Sequence, residues 1–138
     1  MVCAFIDESI RRKPERLYVV AAVRAYAVRA QGNKLDRARA LCLEGLLWEL
    51  EELGIGELLF ESRQEHNDAK DRRLIIYTQK AGGAPAQLYY HFERPSGEPL
   101  LWVADAAAGI VTTALSGEDT SYSDELGQLI TLIQVDWR

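Results

Sequence analysis

Cysteine is scarce in this sequence: Cys3 and Cys42 are the only two in 138 residues. That is too few for a disulfide framework, and neither sits at a metal-ligand spacing, so two buried thiols in a reducing cytoplasm are expected. Long apolar runs are also missing. No stretch reaches the roughly 18 residues that cross a bilayer, so no membrane partner is expected. Met1 to Ile6 leads directly into Asp7-Glu8 without a basic segment, and a signal peptide is therefore not expected either. Histidine occurs twice, at His66 and His91. Neither has a serine or cysteine partner in a nucleophile motif, which argues against a hydrolase triad. The glycine fingerprints of dinucleotide and P-loop sites are absent. So are internal repeats and Pro/Gly-rich linkers, and this leaves a single domain over 1–138.

What is present is an ordinary globular mixture, 48% hydrophobic and 27% charged, which excludes a disordered or fibrous chain. Sixteen basic residues against 21 acidic ones give a net charge of -5. Such a balance argues against a protein that coats nucleic acid electrostatically. An enzyme acting on nucleic acid stays compatible with it, because a metal site needs carboxylates.

Val2 to Ile6 reads as a short buried strand ended by Asp7-Glu8-Ser9, and Ile10 to Arg16 as a loop or wide turn. Leu17 to Ala27, rich in Val, Ala and Tyr, is open to helix or strand, and its adjacent β-branched residues and the preceding turn favour a strand antiparallel to the first. Asn33 is the expected N-cap of a helix whose apolar positions run from Leu35 to Leu53, with Gly54 as its stop. Glu57 to Phe60 is a second buried strand. Asn67 is expected to cap a helix reaching about Ala81, and Gln87 to Glu93 alternates as a strand. Pro99 opens a helix over Leu100 to Leu115. The tail reads as a short helix near Ser123 to Gly127 and an extended segment from Leu129 to Val135. This alternation predicts an α/β fold, a mixed sheet flanked by helices.

Asp105 is the only ionisable side chain between Leu100 and Leu115. A helix apolar on nearly every face is expected to be buried. A lone carboxylate there costs several kcal/mol of desolvation unless a cation or hydrogen bonds compensate it. A salt bridge to a buried arginine, or a place on the solvent edge of the helix, are the plainer alternatives. Asp7 ends the first apolar run and Glu61 the second. Each alone reads as the polar start of a turn. Together, three carboxylates at the ends or middles of three buried elements suggest an oxygen-ligand site for Mg²⁺ or Mn²⁺, since strand ends converge on one edge of an α/β sheet. Metals so held can activate water and stabilise the leaving oxygen of a phosphodiester.

The stretches Phe5-Ile6-Asp7-Glu8-Ser9, Leu17-Tyr18-Val19-Val20-Ala21-Ala22-Val23, Glu61-Ser62-Arg63 and Pro99-Leu100-Leu101-Trp102-Val103-Ala104-Asp105 resemble the family called domain of unknown function 3800, of the ribonuclease H-like superfamily. The resemblance runs from Phe5 to about Leu115. Its most specific parts are the Asp-Glu-Ser opening and the Ala-Asp-Ala-Ala-Ala-Gly helix. It implies a ribonuclease H-like mixed sheet, a divalent-metal-dependent nuclease or phosphodiesterase, and metal-ligand roles for Asp7, Glu61 and Asp105. Asp68, Asp71 and Glu8 are the candidates for a fourth ligand, with Ser9 auxiliary and Arg63 a phosphate clamp. The superfamily opens with a three-stranded meander, and only two strands are legible before the Asn33 helix. Either the segment around Ala27 to Gly32 supplies a bent third strand, or the chain is a trimmed member.

Nucleic acid is the partner this reading implies. Arg11, Arg12, Lys13 and Arg16 lie near Asp7 in sequence, and Lys70, Arg72 and Arg73 near Asp71; both groups suit a phosphate backbone or, more plainly, a solvated face. His66 is a loop residue or a proton donor near the site, and His91 a residue of the sheet face. Trp48, Trp102 and Trp137 are spaced as core or interface residues. The rival reading is a catalytically silent ribonuclease H-like module that binds a protein partner or a second copy of itself.

Overall fold

The apolar run that opens the chain forms a strand longer than its apolar part: β1 spans Val2–Arg11. The computed structural model describes residues 2–11, 17–21, 24–29, 31–32, 34–94, 96–97, 100–115 and 131–138, with the main chain alone at 2–11, 17–21, 24–25, 100, 103 and 114. Asp7-Glu8-Ser9 was the expected end of this strand. Instead it lies within β1, because residues 7–11 pair antiparallel with β2 (Leu17–Ala21), from Asp7↔Ala21 to Arg11↔Leu17.

The single strand expected over Leu17 to Ala27 is two. β3 (Arg24–Arg29) turns back antiparallel on β2, from Leu17↔Arg29 to Ala21↔Ala25. The sequence does not mark the turn: Ala22 and Val23 are none of the usual turn formers, and the apolar run passes through them. A three-stranded antiparallel meander therefore precedes the first helix, and the third strand starts three residues before the segment expected to supply it.

From there the elements alternate. Helix α1 (Leu35–Leu53) leads to β4 (Ile55–Glu61), α2 (Glu65–Lys80), β5 (Tyr89–Glu93), α3 (Leu100–Leu115) and β6 (Thr131–Gln134). Gly54 ends α1 in the left-handed region at φ 68, as its position suggested. The N-cap residue is Lys34, one beyond the expected Asn33, which lies outside the described residues. Asn67 does not cap α2 either, since the helix starts earlier and Gln64 takes the N-cap position. The helix expected near Ser123 to Gly127 falls outside the described residues.

The strands form one six-stranded mixed sheet in the order β5-β4-β1-β2-β3-β6. β4 runs parallel to both β1 and β5, and β6 runs parallel to β3. Tyr26 and Val28 of β3 join the main core with α1, while Ala27 between them packs on Ala108 and Val111 of α3. Neighbouring strand residues point to opposite faces, so α1 and α3 cover opposite sides of the sheet. α2 lies on the α1 side, where Ile75 meets Leu58 and Phe60 in the main core. The Phe60 and Phe92 rings stack there at 4.9 Å, and the Arg72 guanidinium lies 4.8 Å over the Phe92 ring. No helix among the described residues is long and apolar enough to cross a membrane.

Candidate functional site

The parallel ladder between β1 and β4 fixes the levels of the two expected strand carboxylates. Phe5 pairs with Leu59 and Ile6 with Phe60. The next residues along the two strands are Asp7 and Glu61, so these positions are neighbours across adjacent strands, whose spacing is about 4.8 Å. On the far side of β4, Glu61 pairs with Glu93 of β5. Since Leu58 and Phe60 point into the core under α1 and α2, the half-buried Glu61 belongs to the opposite face. That is the face α3 covers, where it packs across β1 and β2. Glu8 and Ser9 follow in β1 opposite Val20 and Val19.

The expectation of a buried Asp105 is not met: its side chain is exposed. Among its described side chains the helix buries one stripe, formed by Leu101, Ala104, Ala108, Val111 and Thr112. Asp105 sits at the rim of that stripe, and Trp102, one turn before it, is 63% exposed. The sequence misleads here because alanine counts as apolar yet leaves little surface to hide. Ala106, Ala107 and Gly109 beside Asp105 make an outer face look like an inner one.

Asp68 and Asp71, two candidates for a further ligand, are buried on α2 and already engaged. Asp71 receives a forked pair of hydrogen bonds from Arg39 of α1, Nε to Oδ1 at 3.1 Å and Nη2 to Oδ2 at 2.9 Å. Arg63 Nη2 donates to the same Oδ2 at 3.3 Å and to the Asn67 carbonyl at 3.3 Å. The guanidinium expected to clamp phosphate is thus turned onto α2. Asp68 accepts from Ser62 Oγ at 2.8 Å and from the Arg63 main-chain N–H at 3.1 Å. Among the described residues no three His, Cys, Asp or Glu side chains form a group that could hold a metal; the Asp7 side chain lies outside that description.

Sequence reasoning missed Arg39, Ser62 and Glu93. Arg39 had a signal: it stands in phase with Leu43, Leu46 and Leu50 on the apolar face of α1. A cation there needs a buried anion, and Asp71 supplies it from an element 32 residues away.

Two of the three basic residues near Asp71 in sequence are used within the protein. Lys70 Nζ pairs with Asp36 at 2.8 Å and Arg72 Nη1 with Glu65 at 2.8 Å, while Arg73 is exposed. Arg12, Lys13 and Arg16 lie outside the described residues. His66 is exposed in the first turn of α2, and His91 Nε2 lies 3.9 Å from Glu57 Oε1.

The hydrogen bond from Lys70, outweighing the opposing effect of burial, holds the Asp36 carboxyl below its ordinary value. A carboxyl lowered on folding contributes stability above its unfolded pKa, and that contribution fades as pH falls through the folded value. Both partners are largely exposed, so Asp36→Asn is expected to cost roughly 0.2–1 kcal/mol at pH 7. In urea titrations the gap from wild type should close in acid; a gap that persists there would refute the pairing.

Comparison with protein-family models, with curated proteins and with solved structures gave no match. The functional reading therefore rests on the residues and their placement.

Proposed function

We propose that the protein is a ribonuclease H-like phosphodiesterase of the cytoplasm that holds Mg²⁺ or Mn²⁺ through Asp7, Glu61 and Asp105 and cleaves nucleic acid. The observation that carries this reading is that the β1–β4 ladder ends at Ile6↔Phe60, so that Asp7 and Glu61 are each the next residue on adjacent parallel strands of a sheet that the helix bearing Asp105 crosses. The three-stranded meander β1-β2-β3, followed by alternating helices and strands, also agrees with the architecture the resemblance implies. Carboxylates from two strands and a helix supply hard oxygen donors, the chemistry these cations select. When bound, the cation would activate water and stabilise the leaving oxygen of a phosphodiester. The residues supply placement: Asp7 and Glu61 sit on hydrogen-bonded strands, and Asp105 stands open to solvent where a ligand can reach it. The engagement of Asp68 and Asp71 with Arg39, Arg63 and Ser62 favours a structural role for both.

The rival reading, a silent module that binds a protein partner, draws on the exposed Trp102 indole beside Asp105. Thermal unfolding separates the two. Mn²⁺ at 100 times its dissociation constant is expected to stabilise the wild type by about 2.7 kcal/mol relative to EDTA. Asp105→Asn should remove most of that response. Identical melting with EDTA and with excess Mn²⁺ would refute the metal site and favour the binding module.

A further inference from the structure

Glu61 is the last residue of β4, the point at which a strand most easily frays. Its successors are nevertheless tied down. The Ser62 N–H donates to the Glu93 carbonyl at 2.8 Å, Ser62 Oγ donates to Asp68 Oδ2 at 2.8 Å, and the Arg63 N–H donates to Asp68 Oδ1 at 3.1 Å. Both oxygens of one buried carboxylate are therefore bonded to the two residues that follow Glu61.

This is more than a helix cap. The N-cap residue of α2, Gln64, makes no side-chain cap bond, and the Asp68 carboxylate accepts from Ser62 and Arg63, both before the helix start. Its carboxylate reaches back past the helix start to the strand exit. Asp68 is 3% exposed, and burying a carboxylate costs several kcal/mol unless hydrogen bonds offset it. The Ser62 and Arg63 donors supply such bonds. The next turn of α2 repeats the connection, because Asp71 holds the Arg63 guanidinium at 3.3 Å and is itself gripped by Arg39.

From this geometry we infer that Asp68 is a positioning residue for Glu61, fixing the end of β4 through the Ser62–Arg63 main chain so that Glu61 keeps its level beside Asp7. The inference rests on the metal-site reading above. Partners that orient a ligand without touching the metal alter metal affinity by about 10- to 100-fold when removed. They do so without supplying a donor of their own.

The test is Mn²⁺ binding by titration calorimetry on the full chain, with circular dichroism to establish folding. Cleavage is measured in parallel at saturating Mn²⁺. Asp68→Ala should weaken Mn²⁺ binding by about 10- to 100-fold, with turnover restored once metal saturates. Asp68→Asn should return the affinity close to wild type, because its amide oxygen can accept from Arg63 N–H while its NH₂ donates to Ser62 Oγ. Unchanged affinity in Asp68→Ala overturns the inference. So does Asp68→Asn binding as weakly as Asp68→Ala, since the effect is then that of a lost charge. Should Asp68→Ala fail to fold, Ser62→Ala removes one of the two bonds; it should weaken Mn²⁺ binding, and wild-type affinity there overturns the inference too. Binding lost in Glu61→Gln but untouched in Asp68→Ala refutes the inference alone. A wild type that takes up no Mn²⁺ refutes the metal reading and the inference with it.

Discussion

Asp7→Asn and Asp105→Asn are each expected to lower Mn²⁺-dependent cleavage of a labelled oligonucleotide by about three orders of magnitude or more. Asparagine nearly matches aspartate in size but lacks the charge that attracts a divalent cation, so the metal-free proteins should remain folded. Ligands that act as one unit do not contribute additively. The double mutant should therefore be scarcely slower than either single mutant. With a net charge of -5, the chain should bind substrate modestly and lose it steeply as salt rises. A panel of single-stranded, duplex and hybrid substrates at low salt supplies the assay. Absence of cleavage throughout, or equal rates for wild type and Asp105→Asn, would leave the binding module as the better account.

The second large effect concerns stability. Asp71→Leu takes the carboxylate away from Arg39, a residue only 5% exposed. Removing one partner of a buried pair typically costs about 3–5 kcal/mol, which for a domain of this size lowers the melting temperature by roughly 10–20 °C. Replacing both partners, Arg39→Met with Asp71→Leu, should cost clearly less, because the buried Arg39 charge goes with its counter-ion and only the part-exposed Arg63 loses one. The same experiment decides what Asp71 does. A structural partner of Arg39 destabilises the metal-free protein when lost, whereas a metal ligand would leave it stable and abolish the Mn²⁺ response. Melting of Asp71→Leu within about 1 kcal/mol of wild type would overturn the structural assignment.

The sequence is most legible where the pattern is long and ends in a turn former. α1 shows its apolar spacing over five turns and stops at Gly54. α3 and β5 also lie within the expected segments. The meander was half hidden because Ala22-Val23 carries no turn signal, and an unbroken apolar run reads as one strand. Polar residues misled in the opposite way: Asp7-Glu8-Ser9 looked like a strand end, yet pairing with β2 holds the residues through Arg11 extended. At the proposed site, Asp7 and Glu61 could be suspected from apolar runs that stop at a carboxylate. Their common level could not, since register is a property of two strands. Asp71 looked available for metal because its partner Arg39 belongs to another helix, and no local pattern relates the two.

The sheet also has an order of assembly. β1, β2 and β3 meet through short connections, whereas β1 joins β4 by pairs such as Val2↔Ile55 and Ile6↔Phe60. Contacts between distant residues bear a larger loop-closure entropy, so local pairing forms first. During synthesis from the N-terminus, the meander can therefore close while the β4-facing edge of β1 is still open. That edge carries the apolar run Val2-Cys3-Ala4-Phe5-Ile6, the kind of unpaired strand that invites association with other chains. Only after β4 has left the ribosome can that edge be covered, so the middle of the sheet waits for a segment made some fifty residues later.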